Sequence, residues 1–532
     1  MASALATPSF FSPSFFSAAP ANAQAAAAPI AAQGERGPDV PEFVVRPGYR
    51  VSLVARDLDE ARFLEFDDKG TLYVSQPGRG SIVTMRLKNG VYEKLGTFIS
   101  DKQRVHGMQF HKGWMWFTQS GAVYKARDTS GDGTADETVT VIPQGQLPEG
   151  GGHWWRSIAV SDNFFYTSIG DDGNINDHTG DDREKVWRFN LDGTGKTLWS
   201  GGIRNTEKLR LRPGTQEVWG ADHGSDNFGA PLEKEGQKDQ AQAITDFNPP
   251  CEFNFYEEGK FYGHPFVTGN RVPRIEFQSR PDILELAAKT TPPAWNFGAH
   301  WAPNGWTFLS KNLFPNHQGD AVVALHGSWN SSRPVGYRIE RIMFDPMTAK
   351  PFGSQMIVGT LSAQNQVLAR PVDCVEAPDG SILFSSDGNG NRIYRITRVG
   401  ATATKAAPAT KAATATKTSS TSPTKSGTTA KSASAVNKKT VMLSGAAALR
   451  YLYTKVKHDA AGQPFYLSRN GRIYSRDAKT HAVRWAKAPE LPILVPLETA
   501  ADLTVYKGFD KRKTGLPFSG YGATAADPVP VF

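Results

Sequence analysis

The sequence predicts an all-β protein built as a six-bladed β-propeller. The first observation is a recurring pattern in which a short apolar strand runs into a polar turn that contains glycine. Six strands of this kind are marked by Tyr73, Trp116, Tyr166, Trp219, Val323 and Phe384. Successive markers are 43, 50, 53, 104 and 61 residues apart. A period of about 45 residues with insertions is typical of propeller blades of four strands each.

Composition supports the same fold class. The 532 residues include 51 glycines, 35 prolines and 12 tryptophans, which is typical of a turn-rich, aromatic-rich β protein. Several strands follow a hairpin turn such as Asp379-Gly380. The longest step between markers is predicted to contain an insertion of roughly residues 230–300. Two cysteines cannot form a disulfide framework, so two buried free thiols are expected, with a single bridge as the alternative.

Composition also divides the chain into four parts. Residues 1–38 contain a small-residue pattern, Ala-Asn-Ala before Gln24, that resembles a secretory cleavage site, which predicts an extracytoplasmic protein, periplasmic or secreted. A disordered tail is the alternative for this segment. Residues 42–398 are expected to form the propeller, residues 400–440 a flexible linker, and residues 441–532 a small C-terminal module that binds a protein partner or a surface.

Charge gives no indication of nucleic-acid binding. Seven lysines and no acidic residue lie between positions 401 and 440, and removing them from the net charge of +8 leaves +1. The expected propeller is therefore close to neutral, and no nucleic-acid partner is predicted for it.

Four polar clusters between Gly150 and Gly229 suggest a functional site. Each places His, Asp, Arg or Asn beside glycine; they read GGGHWWRSI, SIGDDGNIND, GGIRNTEKL and ADHGSDNFG. Because equivalent turns of a propeller lie on one face around its channel, these clusters are expected to converge. The simpler interpretation is ordinary hairpin turns, since Asp, Asn and Gly are turn residues in any case.

These clusters and three later segments together resemble the glucose/sorbosone dehydrogenase family, six-bladed propellers that use pyrroloquinoline quinone (PQQ). The later segments read GAHWAPNG, HGSWNSSRPVGYRI and ARPVDCVEAPDGSI, and they follow the earlier ones in the family's order. The resemblance covers roughly residues 42–398. It implies oxidation of a sugar or aldose hydroxyl by hydride transfer to PQQ, with calcium bound and an external quinone or cytochrome as electron acceptor.

The resemblance implies a catalytic role for His153, Asp171 and Arg204. His153 corresponds to the general base, and Asp171 to the active-site carboxylate of the family. Arg204 and Asn205 correspond to an Arg-Asn pair that meets the quinone. A neutral imidazole can take the hydroxyl proton, and a guanidinium can stabilise the negative charge that develops on the quinone oxygens.

The resemblance also implies residues that bind calcium and the cofactor. Gly224 and Ser225 correspond to residues whose carbonyl groups bind the calcium under the cofactor, and oxygen ligands suit calcium. Arg370 corresponds to an arginine that contacts a PQQ carboxylate, a pairing that guanidinium geometry favours. His300 and Trp329 lie in family segments near the mouth of the site.

Two departures from the family pattern concern cofactor affinity. Many relatives carry a basic residue after the HGSWN segment, where this chain has Ser331 and Ser332, and the nearest cation is Arg333. The ADHGSDNFG turn is also poorer in acidic residues than its counterparts. Both differences predict weaker binding of the cofactor.

A second calcium site is predicted from the residues alone, in the segment DTSGDGTADE. Its oxygens recur at alternate positions, as in the first half of an EF-hand loop. The predicted ligands are Asp128, Ser130, Asp132, the carbonyl of Thr134, and Asp136. The twelfth position is Val139, which has no side-chain oxygen, so a complete EF-hand is excluded. A plain Asp/Gly turn is the alternative.

Two other functions fit the predicted fold, since a fold does not decide a function. One is a calcium-dependent hydrolase of the lactonase type, whose metal lies among carboxylates. The other is a non-catalytic propeller that binds glycans or a partner, in a surface or particle-associated protein. The arginine residues favour the anionic cofactor over the first of these.

Overall fold

A computed structural model describes residues 33–229, 244–388 and 390–400, together with the backbone of five short strands beyond residue 439. Most of the signal-like segment, the linker and most of the C-terminal module lie outside the described residues. Within the described part, no helix is both long enough and apolar enough to cross a membrane.

The predicted six-bladed propeller is confirmed. Three strands precede the first complete blade: β1 (Glu35–Arg36), β2 (Val44–Val45) and β3 (Tyr49–Ala55). Blades 1 to 3 are antiparallel sheets of four consecutive strands each: β4 (Leu64–Phe66), β5 (Leu72–Gln76), β6 (Ser81–Lys88), β7 (Val91–Ile99), β8 (Val105–His111), β9 (Trp114–Gln119), β10 (Ala122–Arg127), β11 (Glu137–Ile142), β12 (Ala159–Val160), β13 (Phe164–Ile169), β14 (Lys185–Asn190) and β15 (Thr197–Gly201).

Blade 4 is interrupted by an excursion between its two outer strands. The elements in chain order are β16 (Thr206–Leu211), β17 (Val218–Asp222), a 3₁₀ turn (Ile244–Asp246), β18 (Pro250–Tyr256), β19 (Lys260–Phe261), β20 (Val267–Thr268), β21 (Val272–Pro273), a second 3₁₀ turn (Ile275–Phe277), α1 (Ile283–Lys289) and β22 (Trp295–Ala299). The blade itself consists of β16, β17, β18 and β22, while β19 pairs with the outer edge of blade 3.

The last two blades complete the ring. Their strands are β23 (Pro303–Phe308), β24 (Ala321–Leu325), β25 (Arg338–Phe344), β26 (Pro351–Gly359), β27 (Pro371–Glu376), β28 (Ile382–Ser386) and β29 (Arg392–Arg398). Blade 5 uses β23 to β26. Blade 6 uses β27 to β29 and takes β3 as its outer strand, with Val51 opposite Ile396, so both ends of the propeller share one sheet.

Beyond residue 439 the described backbone forms two small sheets. One pairs the first and last of five strands, and the other joins the three between them: β30 (Thr440–Leu443), β31 (Phe465–Leu467), β32 (Ile473–Arg476), β33 (Val483–Trp485) and β34 (Ile493–Pro496).

The marker residues of the sequence pattern all lie in the second strand of a blade. These strands are β5, β9, β13, β17, β24 and β28, and all but the partly exposed ends of β9 and β13 are buried. The predicted insertion at 230–300 is wrong in part, because β18 and β22 within it belong to blade 4. Cys251 and Phe253 of β18 pack into the core between blades 4 and 5, which a run of mixed polar and apolar residues did not reveal.

Buried ion pairs between inner strands join blades across the ring. Lys208 Nζ on β16 lies 2.6 and 2.7 Å from the two carboxylate oxygens of Asp373 on β27, and both residues are buried. Asp373 also accepts the backbone N–H of Leu64 on β4 at 2.8 Å, and Trp306 Nε1 on β23 donates to the Lys208 carbonyl at 2.9 Å. Blades 1, 4, 5 and 6 therefore meet at this pair. The two cysteines, Cys251 and Cys374, are buried free thiols, as expected.

The pair predicts a large stability effect for Lys208→Met. Removing one partner leaves the other charge buried without compensation, so the free energy of unfolding should fall by about 3–5 kcal/mol in urea denaturation followed by tryptophan fluorescence. The matched control is Lys289→Met, which removes the exposed helical pair of Lys289 with Glu285 and should leave the midpoint unchanged. If both variants unfold at the same urea concentration, the buried pair does not make the contribution to stability that we expect.

Candidate active site

Chain topology brings the predicted site residues to one cavity. Arg204 and Asn205 immediately precede the inner strand β16, Arg370 precedes β27, and His300 lies shortly before β23. Because neighbouring strands of a blade are antiparallel, loops that follow the second strands lie at the same end. The cavity that results has a volume of about 230 Å³, and the predicted residues that line it are His153, Arg204, Asn205, Gly224, His300, Trp329 and Arg370.

His153 is held as a neutral imidazole with one nitrogen available to the cavity. Its Nδ1 lies 2.9 Å from the backbone carbonyl of Asp171, which can only accept, so Nδ1 carries the proton. Burial and the charge of Arg204 lower the pKa of His153 to about 3. Nε2 therefore keeps its lone pair near neutral pH, which is the state a proton acceptor needs.

Asp171 lies behind His153 and does not line the cavity. Its carboxylate accepts the backbone N–H of Gly173 at 2.7 Å and that of Asn176 at 3.1 Å, and its Oδ2 lies 3.0 Å from His264 Nε2. Burial alone would raise its pKa, but the His264 and Gly173 hydrogen bonds lower that pKa to about 2. Asp171 thus positions His153 through its main-chain carbonyl, and its predicted catalytic role stays a prediction.

Arg204 is fixed between two loops. Its Nε and Nη2 donate to the carbonyl and side-chain oxygens of Asn174, each at 2.9 Å, and Nη1 donates to the Gly224 carbonyl at 3.0 Å. Asp226 Oδ2 lies 3.3 Å from Nη2. These contacts leave the guanidinium no alternative orientation, so its charge is preorganised at the cavity.

Gly224 and Ser225, the predicted calcium ligands, differ in placement. Gly224 lines the cavity, and its carbonyl accepts from Arg204. Ser225 is buried beside a separate hole of about 20 Å³, where its hydroxyl accepts from Arg274. Gly224 lines both spaces, and the prediction concerns the backbone carbonyls of the two residues, so calcium binding by Gly224 and Ser225 stays a prediction.

A network of charged residues beside the cavity was missed by sequence reasoning. Arg62 donates to Glu207 at 2.9 Å and to Asp387 at 3.1 Å, and its guanidinium lies 3.8 Å from the ring centre of Trp155. Burial opposes the charge on Glu207, but Arg62 outweighs it and holds the pKa of Glu207 well below its usual range. The position of Arg62 could have indicated its place at the cavity, because Arg62 precedes the inner strand β4 much as Arg204 precedes β16.

Arg370 reaches the same network through His326. Arg370 Nη2 lies 3.1 Å from His326 Nδ1, and His326 Nε2 lies 2.9 Å from Asp387 Oδ1. Among the described residues, Arg370 has no carboxylate within ion-pair distance, in contrast to Arg62 and Arg204. Among the lining arginines, Arg370 is thus the one that faces its nearest carboxylate, Asp387, across a histidine rather than in a direct ion pair.

Unpartnered buried atoms along the cavity are mostly hydrogen-bond donors. In the described part of the chain, four such side-chain atoms belong to lining residues: Arg62 Nε, His223 Nε2, Arg370 Nε and Asn304 Oδ1. His223 Nδ1 faces the amide nitrogen of Asn205 at 3.3 Å and so accepts, which leaves the proton on Nε2. Three donors against one acceptor suit an anionic ligand with several oxygens.

The mouth of the cavity combines a fixed histidine with an exposed aromatic ring. His300 Nε2 lies 2.6 Å from the Thr245 carbonyl, and the Trp329 side chain is 75% exposed. Ser332 is tied down by Asp246, which accepts its backbone N–H at 2.9 Å and its hydroxyl. The position where relatives carry a cation is therefore a neutral anchored turn.

In the second predicted calcium loop, the carboxylates accept hydrogen bonds from backbone N–H groups of the loop itself. Asp128 Oδ2 accepts the backbone N–H of Gly133 at 2.8 Å, and Asp136 Oδ2 accepts those of Thr129 and Ser130 at 2.6 and 2.9 Å. In the part of the chain that the structure describes, carboxylate and histidine groups close enough to share an ion surround Asp171, not this loop. Calcium binding by the loop stays a prediction.

The sequence matches one known family over most of the propeller. Residues 43–399 match the TrAA12-like family model. Over 413 residues the chain is 24% identical to a pyrroloquinoline quinone-dependent pyranose dehydrogenase of Coprinopsis cinerea, covering 67% of this chain and 54% of that protein. Over 215 residues it is 31% identical to an uncharacterized protein of Borreliella burgdorferi, covering 40% of this chain and 51% of that protein. These matches thus span about half the length of each relative.

Solved structures show the same fold. The holo form of the PQQ domain of pyranose dehydrogenase from Coprinopsis cinerea superposes with a TM-score of 0.57 at 21% identity, covering 68% of this chain and all of that domain. The calcium structure of a Trichoderma reesei family AA12 carbohydrate-active enzyme gives 0.57 at 19% identity, covering 68% and 98%. The resemblance found in the sequence is thereby confirmed at the level of family and fold.

The lowered pKa predicts that His153 does not titrate between pH 5 and 8. Its imidazole should stay neutral because charging it costs desolvation beside Arg204, whereas the pKa of His178 is raised. For His178 burial alone would lower the pKa, but hydrogen bonds to Asp181 and Asp172 outweigh it, so that ring should lose its proton only above pH 6.5. The measurement is NMR of histidine ring C–H signals, assigned through His153→Gln and His178→Gln. A His153 signal with a midpoint near 6.5 would contradict the geometry.

Proposed function

We propose that this chain, which belongs to the TrAA12-like family, is a PQQ-dependent dehydrogenase that oxidises a hydroxyl of a sugar. The observation that carries the proposal is the meeting of a neutral histidine, fixed in one tautomer, with three arginines in a single cavity. The named function of the Coprinopsis cinerea relative supports the same reaction class.

The residues present fit PQQ, which is a planar tricarboxylate. Arg370, which has no carboxylate within ion-pair distance among the described residues and an unpartnered Nε, is the residue best suited to hold a carboxylate. The unpartnered donors of Arg62 and His223 offer further hydrogen bonds to anionic oxygens. When bound, PQQ supplies the two-electron acceptor that the amino-acid side chains lack.

His153 is the proposed proton acceptor. The hydroxyl proton of the sugar passes to Nε2, since Nδ1 is committed to the Asp171 carbonyl. In the free protein, burial and, after it, the charge of Arg204 make the protonated imidazole unfavourable. An anionic group bound beside Arg204 would offset the second of these effects but not the first.

Calcium is proposed beside Gly224, as the family resemblance implies. The Gly224 carbonyl and the Asp226 carboxylate both belong to residues that line the cavity, and oxygen ligands are what calcium takes. Arg204 donates to the same carbonyl, so calcium there has to displace or share that contact. Loss of PQQ binding after EDTA treatment, and its recovery with calcium, is the expected result.

The electrons are proposed to leave to an external quinone or cytochrome. The signal-like N-terminal segment supports a location outside the cytoplasm, where a sugar substrate is at hand.

The principal alternative is a glycan-binding propeller without turnover, and the exposed Trp329 at the mouth would suit either function, because sugars stack on aromatic rings.

Arg370→Ala should weaken PQQ binding about 10- to 100-fold, the value of one charged hydrogen bond. The measurement is fluorescence or calorimetric titration of the protein with PQQ in excess calcium. Arg333→Ala is the matched control, since Arg333 is exposed and does not line the cavity, and its affinity should equal that of the wild type. Wild-type protein that binds no PQQ at saturating calcium would end the proposal.

His153→Gln should keep PQQ affinity and slow the reduction of preloaded PQQ by an aldose about 10²- to 10⁴-fold, the usual loss for a general base. Single-turnover absorbance with a panel of aldoses measures this, and His111→Gln on β8, away from the cavity, is the control. An unchanged rate in His153→Gln would rule out the assigned base. Binding of PQQ without reduction by any sugar would favour the glycan-binding alternative.

A further inference from the structure

Three side chains behind the active-site histidine form a compact polar cluster. Asp171 follows β13, Glu184 precedes β14, and His264 lies in the excursion after β19. His264 Nε2 is 3.0 Å from Asp171 Oδ2 and 3.4 Å from Glu184 Oε1, and the three ligand atoms all lie within 4.8 Å of one another. Segments far apart in sequence thus place two carboxylates and one imidazole nitrogen around one point.

Glu184 is the unexplained member of this cluster. The residue is 4% exposed, and its Oε1, directed at His264, accepts no hydrogen bond. A buried carboxylate oxygen without a partner is costly, and burial raises the pKa of Glu184 accordingly. Asp171 uses its remaining hydrogen-bonding capacity on the backbone of its own loop, so one imidazole faces two buried carboxylates.

The spacing of these atoms suits a metal ion. Zinc binds nitrogen and oxygen ligands at ~2.0–2.1 Å, which places neighbouring ligands of a tetrahedron about 3.3 Å apart. The two separations from His264 Nε2, 3.0 and 3.4 Å, lie close to that value. One imidazole with two carboxylates also suits zinc or manganese better than calcium, which prefers oxygen ligands alone.

An ion could reach the cluster from outside. A second cavity, of about 250 Å³, is lined by Glu184 and His264 and also by Ser200, whose buried hydroxyl has no hydrogen-bond partner. Water in this cavity can fill coordination positions that the protein leaves open, as in sites with three protein ligands.

We propose that Asp171, Glu184 and His264 bind one divalent transition-metal ion, with zinc as the test ion. The site is separate from the cavity that holds His153, and the proposal does not depend on the proposed function. Asp171 connects the two, since its carbonyl accepts from His153 and its N–H donates to the Arg204 carbonyl at 2.9 Å. The metal would therefore brace the loop that orients the proposed base.

The test is zinc binding by EDTA-stripped full-length protein, measured by calorimetry and by metal analysis after gel filtration. We expect one zinc per chain in the wild type and an affinity at least 10-fold lower in Glu184→Gln and in His264→Gln. The control is His178→Gln, which removes the other imidazole near Asp171, at 3.6 Å from Oδ1, and should bind zinc as the wild type does.

Thermal unfolding separates loss of the site from loss of the fold. Zinc should raise the midpoint of the wild type and of His178→Gln but not of the two ligand variants, which should unfold cooperatively without metal. Failure of the wild type to retain zinc would overturn the proposal, as would retention by both ligand variants. Tighter binding of calcium than of zinc at these residues would overturn the transition-metal assignment.

Discussion

Closure of the ring is the constraint on which the active-site cavity depends. The outer strand of blade 6 is β3, from the start of the propeller, and it pairs with β29, from the end. This pairing joins the two ends of the propeller in one sheet and so closes six successive sheets into a circle. The loops before the inner strands then point toward a common centre, and residues as distant as Arg62, Arg204 and Arg370 come to line one cavity.

Buried charged pairs lie at the centre of the ring, beside buried aromatic side chains such as Phe63 and Trp306. Lys208 with Asp373 and Arg62 with Glu207 are buried pairs between different blades. Such pairs contribute little net stability compared with apolar packing, but they penalise any arrangement that separates them. They therefore fix the relative positions of the inner strands and leave Arg370 as the lining arginine without a carboxylate partner among the described residues.

The blades were predictable from sequence because their second strands are the most buried. Each marker sits in a short apolar strand followed by a glycine turn, a pattern that survives insertions elsewhere. The outer strands of blade 4 were not predictable in this way, since β18 alternates polar and apolar residues and is separated from β22 by a long excursion. Period alone could not distinguish an inserted segment from an interrupted blade.

The sequence indicated which residues share the cavity better than it indicated how their side chains are oriented. His153, Arg204 and Arg370 were placed together by the family's order of segments, and they do share a cavity. The orientation of Asp171 was not accessible, because a sequence names a residue without showing whether its carboxylate or its carbonyl faces the site. Arg62 was missed since a single arginine before an apolar strand has no distinctive neighbours.

Ser331 and Ser332 at the mouth raise the question of which residues contribute most to binding of the proposed anionic ligand. Ser332 is anchored to Asp246 near the protein surface, where a cation would be screened by water. Arg370 and Arg62 lie deeper, in surroundings of lower dielectric, where each charge interacts more strongly with an anion. A change from cation to serine at the rim therefore costs less than the loss of an inner arginine. The inner arginines that favour the proposed anionic ligand belong to the closed ring of inner strands, so their position does not depend on a cation at the rim.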